Sequence, residues 1–274
     1  MPELPEVEVI KRGLMRHLPG CKVIEIVAGN KKLRQPMPRK NLKNLIRGTR
    51  INSVDRRAKF LLITMVNEAI LIVHLGMTGR LGIFPRDFPS AKHDHLRLQL
   101  DNGMDLRFND IRRFGFIQVI PPGKGLDSTV LSHAGPEPFG EEFSPLYLHQ
   151  LAAGKSRPVK NFLMDSRVVA GIGNIYASEI LFHAGLNPGK KIGLISKIEW
   201  GNVVVSTHHV LNKAIDSGGT TISDFVNESG KSGYFQLELQ TYGRQNKPCN
   251  TCSTPITKTT MAGRPTFFCP QCQK

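Results

Sequence analysis

The period of the apolar positions changes along the chain, and the change divides it. Val7, Ile10, Leu14 and Leu18 recur at helical spacing and predict a helix over 5–18, with Pro5 at its first position, Glu6 and Glu8 favouring its dipole and Gly20 past its end. Val23–Val27 predicts a short strand, whereas 31–50 is basic and poorly patterned. Lys59–Val66 and Ala69–His74 are apolar runs around Asn67-Glu68, which predicts two buried strands and a tight turn. Leu96, Leu98 and Leu100 alternate; Asp101-Asn102-Gly103 makes a turn; Met104, Leu106 and Phe108 alternate again; Phe116–Ile120 is one more strand. Past Pro121-Pro122-Gly123-Lys124-Gly125 the period becomes helical, with helices expected near 145–152, 158–165, 174–184 and 196–216. Residues 217–234, rich in Gly, Ser and Thr, predict a mobile loop. The reading is an α+β multidomain chain: an antiparallel β-sandwich with an N-terminal helix (1–120), a linker (121–130), a helical domain (131–235) and a cysteine-bearing end (240–274).

Composition narrows the partners. A length of 274 residues and 40% apolar content suit a globular chain of two or three domains. Lys and Arg number 37 against 22 Asp and Glu, a net +15, which points to a polyanion, usually nucleic acid. A ribosome-bound or membrane-surface protein would share that charge. No run approaches eighteen apolar residues, so no membrane span is expected, and the N-terminus lacks the apolar core of a signal peptide. The expectation is a cytoplasmic protein.

Four of the five cysteines are spaced Cys249-x2-Cys252-x16-Cys269-x2-Cys272. Two such pairs bite the edges of one tetrahedral metal, and the residues between suit a β-hairpin. One structural Zn2+ is the expected cofactor; two disulfides are the alternative. Cys21 reads as a lone structural thiol. Arg264, after Gly263, lies near the hairpin tip, either gripping DNA or solvated. Gly171-Ile172-Gly173-Asn174-Ile175-Tyr176 looks like a dinucleotide fingerprint but sits in a helical setting. It reads better as a helix-entry turn, with Asn174 as cap, backbone N–H groups open to a phosphate and Lys155 and Lys160 adding charge, or else as a plain interhelical turn. In Asn109-Asp110-Ile111-Arg112-Arg113-Phe114-Gly115, Phe114 could wedge into a base stack and Arg112 pair with an orphaned base; Phe114 could equally be core. Met77, on the Gly-flanked loop after His74, is a third insertion residue or a core filler. Lys59 is, by itself, an ordinary surface charge, and His93 could bind phosphate or be simply hydrogen-bonded beside its turn.

The remaining oddity is Met1-Pro2-Glu3. Proline is small enough for Met1 to be trimmed, which would leave a secondary amine at the terminus. An α-amine titrates near ~8 against ~10.4 for lysine, so more of it is a neutral nucleophile at neutral pH. A secondary amine condenses with an aldehyde-level carbon to an iminium, and Glu3 could shuttle protons beside it.

Taken together, Met1–Glu8, Arg56-Arg57-Ala58-Lys59, His74-Leu75-Gly76-Met77, Lys92-His93-Asp94-His95, Arg112-Arg113-Phe114-Gly115, Gly173–Ala177 and the four-cysteine end resemble the bacterial formamidopyrimidine-DNA glycosylases over essentially the whole chain. Val9 departs from the usual threonine. The resemblance implies a helix–two-turn–helix form for the middle domain, a zinc finger after it, and duplex DNA crossing between the domains. It implies that a monomer excises oxidised purines, chiefly 8-oxoguanine and formamidopyrimidines, and then cuts the strand. Pro2 would attack C1′, Glu3 would move protons, Lys59 would assist β-elimination and Arg264 δ-elimination. Met77, Arg112 and Phe114 would fill the gap left by the flipped base. Lys155, Lys160, Asn174 and His93 would hold phosphates, and 218–234 would close over the lesion. A sister enzyme resembling endonuclease VIII, acting on oxidised pyrimidines, and a non-catalytic zinc-finger DNA-binding protein are the competing readings.

Overall fold

The structure is a computed structural model that describes residues 2–218 and 239–274. From residue 219 on, the expected closing loop lies outside the described residues. These residues form two compact units, one reaching Ser132 and one starting at His133 and including the C-terminal end.

The first unit opens with α1 (Leu4–Met15). Glu3 is its N-cap, and Glu6 Oε2 accepts the Glu3 backbone N–H at 2.8 Å, which satisfies one donor the helix start leaves open. The helix begins one residue before Pro5 and ends three before Leu18. Pro5 is tolerated because first-turn N–H groups have no intrahelical acceptor. Leu18 stays buried because the chain continues in a turn, with its N–H on Leu14 O at 2.9 Å.

Two antiparallel four-stranded sheets follow. Their strands are β1 (Val23–Ala28), β2 (Ile51–Arg57), β3 (Phe60–Met65), β4 (Ile70–His74), β5 (Gly79–Pro85), β6 (Asp94–Leu100), β7 (Met104–Asp110) and β8 (Phe116–Ile120). The orders are β1-β6-β7-β5 and β2-β3-β4-β8. Leu96, Leu98, Leu106 and Phe108 from one sheet share a core with Leu61, Ile63, Leu71, Val73 and Val119 from the other and with Val7, Ile10 and Leu14 of α1. Each such side chain contributes roughly 1.5–3 kcal/mol. The sandwich is therefore as the pattern predicts, with two additions. β2 escaped notice because a bulge between Ile51 and Ser53 breaks its alternation, leaving Ile51 and Val54 buried three apart. β5 is interrupted by Gly79 and Gly82; a Cβ on Gly79 would lie 2.1 Å from Leu75 O. The unpatterned basic segment holds α2 (Arg39–Asn41), continued by a wide turn over Leu42–Ile46 that buries both its end residues.

The second unit contains α3 (Pro145–Ala152), α4 (Val159–Leu163), α5 (Asn174–His183) and α6 (Lys197–Asp216). Ser144 caps α3, and Ser196 with Glu199 forms a capping box on α6. Trp200, Tyr176 and Phe162 fill the core between the helices. The C-terminal hairpin pairs β9 (Thr257–Met261) with β10 (Arg264–Phe268) through the left-handed pair Ala262-Gly263. Among the described residues no helix is long and apolar enough to cross a membrane.

Candidate functional site

In the first unit, one chain of contacts links the terminus to Lys59. Pro2 is half-buried, and Glu3, 2% exposed, opens α1. One turn on, Glu8 Oε2 accepts from Arg56 Nε at 3.0 Å, and Arg56 Nη1 donates to Ala58 O at 3.0 Å. Both partners of the ion pair are largely shielded from solvent. Ala58 has φ +54, so the tight turn carrying Lys59 is in a left-handed conformation that these bonds help hold. The Pro2-Glu3 end and the Lys59 turn thus belong to one braced assembly. Lys59 is also close enough to His74 to bear on its proton affinity.

His74 packs against Phe60 and Phe116, with ring centroids 4.8 and 5.4 Å away. Its Nδ1 accepts the Gly76 N–H at 3.1 Å, which assigns the remaining ring proton to Nε2. Burial, then the Arg34 and Lys59 charges, push its pKa down to about 4. The unfolded imidazole titrates near ~6.5, so acidification protonates the unfolded chain first. The stability this neutral imidazole confers is complete above that value and is lost as pH falls toward 4. Between pH ~7.5 and ~4.5 the loss should be about 2–3 kcal/mol. Urea midpoints across that range, in wild type and His74→Gln, check this; equal acid loss in the two proteins would refute it.

Met77, Arg112 and Phe114, the residues expected to insert, sit on two neighbouring loops. Met77 and Phe114 are 41% and 44% exposed, which removes the core alternative for both. The Arg112 guanidinium stacks over the Phe114 ring, 4.7 Å from its centroid. His93 is half-buried, and its carbonyl accepts from Asp110 N–H at 3.1 Å. The neighbouring groups are engaged elsewhere: Asp94 accepts from Asn109 and the Ala91 N–H, and His95 Nε2 lies 2.9 Å from Asp110 O.

In the second unit two expectations need correction. Asn174 does not cap α5; Gly173 does, because Asn174 is already helical. The Asn174 side chain instead donates from Nδ2 to Pro265 O at 3.0 Å and accepts from Lys160. Lys160 is 0% exposed. Its ammonium donates to Asn174 Oδ1 (2.6 Å), Thr266 Oγ1 (2.7 Å) and Pro265 O (3.1 Å). A buried ammonium so engaged is a cross-brace between α4, α5 and β10 and not a surface grip on phosphate. Arg264 is exposed at the start of β10, immediately before that braced Pro265. Lys155 is exposed and donates to Leu151 O at 2.6 Å.

The four Sγ atoms lie within 4.8 Å of one another, with Cys252–Cys269 at 3.4 Å and Cys249–Cys272 at 3.9 Å. Disulfides need S–S near ~2.05 Å, whereas sulfurs at ~2.3 Å from one tetrahedral zinc stand about 3.8 Å apart. Thr254 hydrogen bonds draw Cys252 down to about 6. Hydrogen bonding with Cys252, then burial, pushes Cys272 up to about 12. The set suits one structural zinc, closed to substrate by its fourth ligand. Cys21, the fifth, is a free half-buried thiol donating to His17 O at 3.2 Å.

Glu179 escaped notice in the sequence. This buried carboxylate of α5 accepts the backbone N–H groups of Gln240 (2.6 Å), Thr241 (2.9 Å) and Tyr242 (2.8 Å), fixing where the chain enters the finger. Its neighbours Tyr176, Ile180 and Leu181 are apolar, and a lone acid among them carries no sequence signal of partners more than sixty residues away.

Comparison with known proteins covers all these elements. The formamidopyrimidine-DNA glycosylase N-terminal domain matches residues 1–117, its H2TH domain 134–226, and a zinc finger found in FPG and IleRS 246–274. The formamidopyrimidine-DNA glycosylases of Syntrophotalea carbinolica and Escherichia coli O6:K15:H31 are 44% and 45% identical over the whole of both chains. A Lactococcus lactis FPG mutant bound to Fapy-dG containing DNA superposes with a TM-score of 0.89 at 32% identity, covering all of both chains. MutM in complex with carbocyclic 8-oxo-G containing DNA gives 0.87 at 33%, again over both full chains.

Proposed function

The chain belongs to the formamidopyrimidine-DNA glycosylase family, and from that premise we propose that it is a base-excision repair enzyme that binds duplex DNA, removes 8-oxoguanine and formamidopyrimidines, and cleaves the strand at the resulting abasic site. It acts as a monomer in the bacterial cytoplasm. The observation that carries the reading is the terminus itself. A half-buried proline stands next to a buried glutamate that heads α1, on a helix braced to the turn bearing Lys59.

The chemistry follows from a secondary amine. Once Met1 is gone, the Pro2 nitrogen bonds to C1′ as the C1′–base bond breaks, and the base leaves with the bonding pair and takes up a proton. Glu3 protonates the sugar ring oxygen as the ring opens, which leaves an iminium between Pro2 and C1′. The iminium acidifies the C2′ proton. Loss of that proton, with Lys59 assisting, expels the 3′ phosphate; a second elimination, with Arg264 assisting, expels the 5′ phosphate. Water then hydrolyses the iminium and frees Pro2. Water acting directly would give no iminium and hence no elimination. The +15 charge suits the phosphate backbone, and Met77, Arg112 and Phe114 occupy the space of the everted nucleotide. His93, Lys155 and Asn174 hold phosphates, while Lys160 acts through Asn174. Zinc, held by Cys249, Cys252, Cys269 and Cys272, supplies only the folding of the finger.

Duplexes carrying 8-oxoguanine opposite C and thymine glycol opposite A test the substrate class. Under borohydride both trapping and release should be at least about tenfold faster with 8-oxoguanine, the scale on which pockets discriminate related substrates. Faster release of thymine glycol would reverse the assignment toward the pyrimidine enzyme.

A further inference from the structure

Met77, Arg112 and Phe114 occupy different loops, yet insertion into one base stack requires them to move as one body. What joins the loops is a single buried carboxylate. Asp110, at the end of β7, is 0% exposed. Its Oδ1 accepts from the Thr78 hydroxyl at 2.6 Å and from the Arg112 N–H at 3.2 Å; its Oδ2 accepts from the Gly115 N–H at 2.8 Å. Thr78 Oγ1 in turn accepts from Arg112 N–H at 3.0 Å. Thr78 immediately follows Met77, and Arg112 and Gly115 bracket Phe114. The contact between the loops has no slack. A Cβ on Gly76 would lie 2.4 Å from Gly115 N and Phe114 C, and one on Gly115 would lie 2.6 Å from His74 O. Arg113 is held at φ +58, a conformation a non-glycine residue adopts when its surroundings enforce it.

We propose that Asp110, acting through the Thr78 hydroxyl, is the positioning residue that locks the Met77 loop to the Arg112–Phe114 loop and so makes the three insertion residues a single preformed wedge. The carboxylate accepts all three bonds at once, which an amide of the same shape cannot do, because one of its two heavy atoms is a donor and would face either the Gly115 N–H or the Arg112 N–H. Charge-assisted hydrogen bonds of this kind are the strong ones, and inside protein they fix geometry as much as they stabilise it. Neither Asp110 nor Thr78 touches the sugar or the base. Their loss should therefore impair opening of a paired site and leave the chemistry at an already exposed abasic carbon alone.

This inference rests on the insertion role proposed above for Met77, Arg112 and Phe114, and the experiment separates the two. The readout is a ratio: the single-turnover rate of 8-oxoguanine excision from a duplex, divided by the rate of borohydride trapping on a single-stranded abasic oligonucleotide, which needs no opening. Asp110→Asn, Thr78→Val and Phe114→Ala are compared with wild type. A fall of roughly tenfold in Asp110→Asn and in Thr78→Val, the effect of losing about one charge-assisted hydrogen bond, together with a fall in Phe114→Ala, supports the proposal. A fall in Phe114→Ala alone overturns it and leaves the wedge standing. No change in Phe114→Ala overturns the wedge and with it this inference. A parallel drop of both rates in Thr78→Val, a replacement that keeps the side chain's shape, would mean general loss of structure and also overturns it.

Discussion

A version of this protein whose Pro2 nitrogen is held in a peptide bond, by retained Met1 or by an N-terminal extension, will excise 8-oxoguanine at least about a thousandfold more slowly and form no borohydride-trapped adduct. An amide nitrogen has no available lone pair, so neither attack at C1′ nor an iminium is open to it. Binding to lesion-bearing duplex should stay within about threefold, because the cationic residues are untouched and most of the affinity comes from phosphates. The assay needs three measurements on one sample: intact mass to establish the terminus, trapping, and affinity. Full activity from a preparation shown by mass to retain Met1 would eliminate Pro2 as the nucleophile. Glu3→Gln is the companion variant. It removes the proposed proton donor while leaving the Glu3 N–H that Glu6 accepts, so melting should move little while excision falls.

The second large effect is on the finger. Stripping zinc, or replacing Cys269 by Ser, should unfold the C-terminal hairpin, because the metal supplies on the order of 10 kcal/mol to a segment this small. The packing around the sulfurs is slight: Ile256 and Phe267 are the buried apolar residues beside Cys249 and Cys269, with Phe182 of α5 against them. Two five-residue strands do not stand alone in water. Limited proteolysis should then cut within 246–274, and affinity for duplex DNA should drop about tenfold or more as Arg264 loses its place. The helices of the second unit rest on the Trp200 and Tyr176 core and should keep their far-ultraviolet signal. A finger that resists protease after metal analysis shows it zinc-free would contradict the structural role.

These two predictions differ in how far the sequence alone reaches. The finger was legible because thiolate chemistry fixes ligand number and spacing locally, and a Cys-x2-Cys turn has one geometry. The four helices of the second unit were legible within a residue or two because capping and apolar spacing are also local. β2 was not, because its bulge hides the alternation, and Ile51 and Val54 reveal themselves as core only when β3 lies beside them. Lys160 shows the same limit at the site. A lysine in a basic chain reads as a phosphate grip. Only the fold brings Pro265 and Thr266, more than a hundred residues away, to its ammonium and makes it a buried brace.

By itself, then, the sequence determined most of the elements, the zinc set and the unusual Pro2-Glu3 start, since each is specified largely by local spacing. The tertiary structure decided which polar groups are shielded and what they hold. It placed Met77 and Phe114 outside the core, tied Glu8 to Arg56 and the Lys59 turn, and put Asp110 under two loops and Glu179 under a third segment. Such roles depend on desolvation and on acceptors brought together from distant parts of the chain, and a carboxylate's neighbours in sequence carry no record of either.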